Sequence, residues 1–343
     1  MRRAVLAGLF GLSLLAQAGV GGGAPLALYA GPDRQPQLIA AAKKDASLTL
    51  YTSMPEKDLP TLIGPFEKKY GITVKVWRAS SAKILQRTTS EAAGRRFDVD
   101  AILMSAPELE ALHREKLLQP VASPHVKGLI PGAVRPHREW VATFLSIWVQ
   151  AYNTNLVARD DLPKTYRDLL DAKWKGKLGI EVGDYDWFAT LALAMGEDRT
   201  LTLFRDVVLK NGVSVRQGHS LLANLVVSGE VPLALTVYSY MPEAAKRRGA
   251  PVDWIALEHV VARANAIGVA RRAPRPNAAL LFHDFMITDG QDLLASMGYV
   301  PTNASARTPL PNRKLNLVDP AMVLDEREKW TRAYEAIFLK RRM

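Results

Sequence analysis

Two tyrosines two residues apart, Tyr238 and Tyr240, are the side chains of this sequence best placed to bind rather than to pack. They follow an apolar run from Val231 to Val237, and a two-residue spacing in extended backbone sends both phenols to one face. As phenolates they suit a hard cation; as phenols they stack on an organic ligand or cap a core edge. Upstream, short polar stretches recur where strand-like segments give way to helix-like ones: Ser53, Ser80 with Ser81, Ser105, then Asp184 and Tyr185 before Trp187, then His219 and Ser220. Serine or aspartate at such a join caps a helix, which accounts for each residue taken singly. The same joins point unpaired amides outward beyond the carboxyl ends of parallel strands, where anions bind. Three successive joins with the same hydroxyl chemistry therefore read as one rim of a ligand cleft. Tyr185 and Trp187 add stacking surfaces, and His219 a donor.

Turnover finds little support. Asp184 and Asp186 with His219 could be assembled into an acid–base pair, but there is no Gly-x-Ser-x-Gly elbow, phosphate-cradling glycine loop or His-Glu-x-x-His. Asp186 reads more simply as a helix cap. The other histidines, His113, His125, His137, His259 and His283, fall in segments read as helix surface or loop, with no two at metal-ligand spacing. A binding protein with no resident cofactor is expected, not an enzyme.

The elements that must position these residues alternate between strand and helix from Ser47 onward, which predicts an α/β architecture with parallel strands. Ser47 to Thr52 is the first strand. Leu59, Leu62, Ile63, Phe66 and Tyr70 then share a helical face, with Pro60 and Pro65 predicting a late start or a kink. Ile72 to Arg78 and Asp98 to Met104 are further strands, and Ser105 with Glu108 has the spacing of a capping box. Trp140 to Tyr152 reads as a long crossing strand and Ala262 to Ala270 as a return crossing. Between them lie strands Leu178 to Val182, Val213 to Arg216, Val231 to Val237 and Val252 to Leu257. The helices Asn277 to Thr288, Asp292 to Met297 and Asp325 to Arg341 are expected to pack back mainly on the first half.

The chain begins Met1-Arg2-Arg3, an apolar run Ala4 to Ala16 and the small-x-small triplet ending at Ala18, the order of a secretory signal peptide. That run falls short of the roughly 20 apolar residues a membrane span needs. Cleavage after Ala18 is expected, with a glycine-rich lead-in, and no later segment is apolar enough to insert in a membrane. With no cysteine, the exported chain has neither disulfides nor a thiol for a lipid anchor, which suits a soluble periplasmic monomer. A length of 343 residues exceeds what one core usually serves, so two lobes are expected. The formal charge of +11 is spread along the chain without basic runs interleaved with aromatics, which argues against nucleic acid and for mild attraction of anions.

Seven short segments carry a family resemblance. They are Phe66 to Val74, Tyr152 to Val157, Leu162 to Tyr166, Trp174 to Lys177, Ser228 to Pro232, Gly249 to Val252 and Gly298 to Thr302. Their order and spacing resemble the ferric-type extracellular solute-binding proteins of ABC importers. The resemblance implies a two-lobed periplasmic-binding-protein fold, each lobe a mostly parallel sheet flanked by helices, with two hinge strands closing on ligand. The corresponding boundaries are 1–18 signal peptide, 19–45 leader and first helix, 46–147 with 265–343 as lobe one, and 148–264 as lobe two. It also implies a permease and ATPase as partners, and ferric iron or a small anion as cargo, with Tyr238 and Tyr240 as the metal ligands if the cargo is ferric. Here the sequence departs from the family, whose iron binders carry adjacent tyrosines and a ligand after the first strand, where this chain has Ser239 between the pair and Ser53-Met54-Pro55. A small organic or phosphorus-containing anion is therefore the alternative cargo, and presentation to a sensor kinase the alternative output.

Overall fold

The structure is a computed structural model that describes residues 25–306 and 314–339, so the expected signal peptide lies outside it. Alternation of strand and helix builds two α/β lobes that share one long strand. In chain order the elements of the first lobe are α1 (Arg34–Asp45), β1 (Ser47–Thr52), α2 (Leu59–Tyr70), β2 (Thr73–Arg78), α3 (Ser81–Ala93), β3 (Ala101–Ser105), α4 (Ala106–Arg114) and β4 (Leu118–Gln119). The crossing strand β5 (Trp140–Asn153) leads to β6 (Leu178–Glu181), α5 (Tyr185–Met195), α6 (Glu197–Asn211), β7 (Ser214–Arg216), α7 (His219–Ser228), β8 (Leu233–Tyr238), α8 (Tyr240–Arg247) and β9 (Val252–Ile255). The return strand β10 (Val261–Ala270) is followed by α9 (Pro276–Met286), α10 (Asp289–Ser296), β11 (Val300–Pro301), β12 (Asn316–Leu317), α11 (Pro320–Asp325) and α12 (Arg327–Phe338).

The sheet runs β2-β1-β3-β10-β5-β8-β6-β7, with β1 parallel to β2 and β3, and β6 parallel to β7 and β8. β5 changes partners along its length: it pairs antiparallel with β10 through Ile147 and with β8 from Trp148. All fourteen of its residues are buried, as a strand covered on both faces requires. Both expected crossings are thus present, side by side at the junction of the lobes.

Each lobe has its own core. In the first, Phe66 of α2 meets Phe282 and Phe285 of α9 with ring centroids 5.0 and 5.3 Å apart. In the second, Trp187 and Phe188 of α5 pack on Phe204 of α6, at 5.6 Å in each case. The C-terminal helix corrects an expectation. Although α9 packs on the first lobe as anticipated, α12 turns its apolar stripe of Trp330, Tyr334, Ile337 and Phe338 onto α5 and α6 of the second. Phe338 lies 5.7 Å from Phe188 and 5.8 Å from Phe204, whereas α11 stays against α4 of the first lobe. Chain order cannot forecast this, because either lobe offers an apolar groove and only packing selects one.

α2 runs through Pro65, and Pro60 sits in its first turn, where no intrahelical N–H is needed. α4 begins where Ser105 and Glu108 predict, but the Ser105 hydroxyl donates to the Glu108 carboxylate itself instead of accepting from its amide.

Candidate functional site

A cleft of about 550 Å³ opens where the carboxyl ends of β1, β2 and β3 face those of β6, β7 and β8. The first lobe lines it with Ser53 after β1, Arg78 at the end of β2, Ser80 and Ser81 at the start of α3, and Ser105 with Glu108 at the start of α4. The second lobe contributes Glu181, Asp184, Tyr185, His219, Ser220, Tyr238 and Tyr240. The crossing strands supply the floor through Phe144, Ser146, Arg263 and Asn265, and Tyr299 closes one side.

Arg263 holds the centre. Its guanidinium donates to Asp186 Oδ2 at 2.8 Å and to the Tyr238 hydroxyl, and lies over the Trp148 and Tyr238 rings at 5.1 and 5.6 Å. Burial works against its charge, but Tyr238 and Asp186 outweigh that cost and hold its pKa well above the ordinary value. Asp184, only 2% exposed, accepts from Trp148 Nε1 at 3.1 Å and bonds His219 Nε2 at 2.9 Å. Burial tends to discharge His219, yet the Asp184 charge and hydrogen bond prevail and raise its pKa. Glu181 accepts the Gly218 amide at 3.0 Å and the Gly183 amide at 2.5 Å; burial, then the nearby Asp184, pushes its pKa up.

These bonds have a common effect. Each carboxylate at or behind the cleft is engaged by a protein partner: Glu108 by Ser105, Glu181 by backbone amides, Asp184 by Trp148 and His219, and Asp186, behind the wall, by Arg263 of the return strand. The hydroxyls of Ser53, Ser220, Tyr185 and Tyr240 have no protein partner among the described residues, and Arg78 spends only Nε, on the Met54 carbonyl at 3.1 Å. What faces the empty space is therefore rich in donors. Ser80 caps α3 by accepting from Lys83 N, and Ser81 Oγ accepts from Ser105 N at 3.3 Å, so both bland capping and rim formation occur at that join.

The tyrosine pair meets for a different reason than its spacing suggested. Ser239 is helical, not extended, so Tyr238 ends β8 and Tyr240 opens α8. Their rings nevertheless stack 5.9 Å apart at 18°, with His219 against Tyr238 at 4.2 Å and Tyr299 against Tyr240 at 4.6 Å. Burial keeps both phenols neutral, well above their ordinary range, against the pull of Arg263.

Of the residues expected at the site, Trp187 is misplaced. It is fully buried in the second core, because it lies two positions beyond Tyr185 and so about 200° around the helix. Tyr185 lines the cleft in its place. Arg263, Arg78, Glu181 and Tyr299 were missed. Arg263 carried a readable signal, as the single charge within the small, apolar segment from Ala262 to Ala270. No two histidines have metal-ligand spacing in the chain, yet folding gathers some of them with carboxylates. Among the described residues Glu110, His113 and His137 form one cluster, with the imidazoles stacked at 3.8 Å, while Glu181, Asp184 and His219 form another inside the cleft.

Comparison with known proteins agrees with the two-lobed fold. The profile of the family described as bacterial extracellular solute-binding protein matches residues 61–314. The chain is 25% identical over 283 residues to iron uptake protein A1 of Synechocystis sp., covering 75% of this chain and 78% of that protein. The fold is similar to that of iron-bound HitA from Pseudomonas aeruginosa, with a TM-score of 0.73, 20% identity and 84% and 99% of the two chains covered. It is similar too to AfuA from Actinobacillus pleuropneumoniae with exogenous fructose-6-phosphate bound, with a TM-score of 0.71, 21% identity and 85% and 98% covered.

Proposed function

The chain belongs to the bacterial extracellular solute-binding proteins, and on that premise we propose that it captures a small oxygen-rich anion, organic or phosphorus-containing, between its lobes in the periplasm. Closure would occur about β5 and β10, and the loaded protein would deliver its cargo to the permease and ATPase of an importer. The observation that carries this reading is the donor-rich wall on both sides of the cleft, with every carboxylate there already engaged by a protein donor. Ser53 and Arg78 on one side, with Ser220 and Tyr240 on the other, offer charge-assisted hydrogen bonds to an anion that neither lobe could surround alone. The sugar phosphate bound in the fold relative AfuA is cargo of that chemistry. Capture without turnover is expected. Among the described residues no serine hydroxyl bonds His219, so the His219–Asp184 pair lacks an attached nucleophile.

Ferric iron is the second reading, supported by the stacked Tyr238 and Tyr240 and by the names of the relatives. It would require both buried phenols to ionise on the metal and Tyr238 to exchange its bond to Arg263 for one to iron. Native mass spectrometry of protein isolated without refolding separates the two. An organic or phosphate-bearing mass on a colourless protein is the expected result. A ferric adduct with a visible phenolate-to-iron band, abolished by Tyr238→Phe with Tyr240→Phe, would replace the anion reading with iron.

A further inference from the structure

We infer that the first lobe carries a second ligand pocket, distinct from the cleft, that takes an amphipathic monovalent or divalent anion: a carboxylate or phosphate group on a compact apolar body. A cavity of about 370 Å³ lies where the loop after α3, the turn after α4 and the end of β10 meet. β3 and β10 fix its place. Ser105 and Asn265 pair at the cleft, while Val99 and Ala270 line this cavity some five residues further along the strands, about 17 Å away.

Five cations surround it: Arg95, Arg96, Lys116, Arg271 and Arg272. The one carboxylate in its wall, Glu91, is consumed by the Tyr51 hydroxyl at 2.8 Å and by Arg87 Nε at 2.6 Å. Arg271 is paired with Glu139 at 3.0 Å, and Arg272 lies over the Phe97 ring at 4.9 Å. Arg95, Arg96 and Lys116 have no ion-pair partner among the described residues. Like charges gathered around a concavity repel one another and focus a positive potential into it. A basic protein can scatter such charges in solvent, where screening separates them; here they converge on a floor formed by Val99, Leu117 and Ala270. That floor explains why a bare inorganic ion would leave part of the cavity unused.

Backbone conformation agrees with a recruited pair of cations. Arg95 and Lys116 both have positive φ, at 55° and 57°, just past the ends of α3 and α4, where glycine is the usual residue. Positive side chains there complement the helix dipoles, which is a partial reason for them. The dipoles alone do not require two helices to end on one cavity.

Calorimetric titration of the full mature chain with phenyl phosphate, alongside inorganic phosphate, tests the assignment. Arg96 and Lys116 are exposed, so Arg96→Glu with Lys116→Glu leaves the fold and the cleft intact. In the wild type one binding event should respond to phenyl phosphate at least tenfold more tightly than to inorganic phosphate. The double variant should lose that event and retain any second event that belongs to the cleft. Identical isotherms for wild type and variant would overturn the pocket, and equal affinity for the two probes would overturn its amphipathic class.

Discussion

Replacing Arg263 by Met should destabilise the protein by about 3 kcal/mol, at the lower end of the range for breaking a buried ion pair. The figure follows from what is stranded. Asp186 keeps only 5% of its side-chain surface and would lose a partner at 2.8 Å, while retaining the Trp187 amide at 2.9 Å. Arg263 itself keeps 21%, so solvent already screens part of the attraction. Its two aromatic faces, Trp148 at 5.1 Å and Tyr238 at 5.6 Å, are offered to the Met side chain as apolar surface, which returns some packing. Urea unfolding followed by tryptophan fluorescence measures the loss, in the wild type and in an Asp186→Asn background. With the stranded charge gone, the cost of Arg263→Met should fall below about 1 kcal/mol, giving a coupling of about 2 kcal/mol. A cost under about 1 kcal/mol in both backgrounds, or an equal cost in the two, would show that the guanidinium is not what neutralises Asp186.

Two further outcomes are expected. Because His219 has a raised folded pKa, its stabilising contribution is complete below the ordinary histidine value and is lost as pH rises through the folded one. The urea midpoint should therefore fall between about pH 5.5 and about pH 9 by more in the wild type than in His219→Gln, and parallel profiles would count against the Asp184 pairing. Trp330→Ala on α12 should cost about 3–5 kcal/mol in urea unfolding, since the indole is 1% exposed in the second core. A loss under about 1 kcal/mol would mean that the C-terminal helix is not docked there.

The features legible along the chain are those governed by local rules. Strand and helix periods predicted the crossings β5 and β10, and the hydroxyls of Ser53, Ser80, Ser81 and Ser105 marked the strand ends that reach the cleft. Length and the family resemblance of segments spaced along the chain predicted two lobes. Tertiary structure alone decided the electrostatics. Arg263 comes from the return strand, Asp186 from α5 and Tyr238 from β8, and only the sheet register sets them in contact. It also decided orientation, sending Tyr185 to the cleft and Trp187 to the core from opposite sides of one helical turn, and laying α12 on the second lobe. Periodicity states which residues share a face. Which face meets which neighbour is fixed by contacts between segments distant in the chain, from 25 residues for Arg263 and Tyr238 to 77 for Arg263 and Asp186, and no local pattern encodes them.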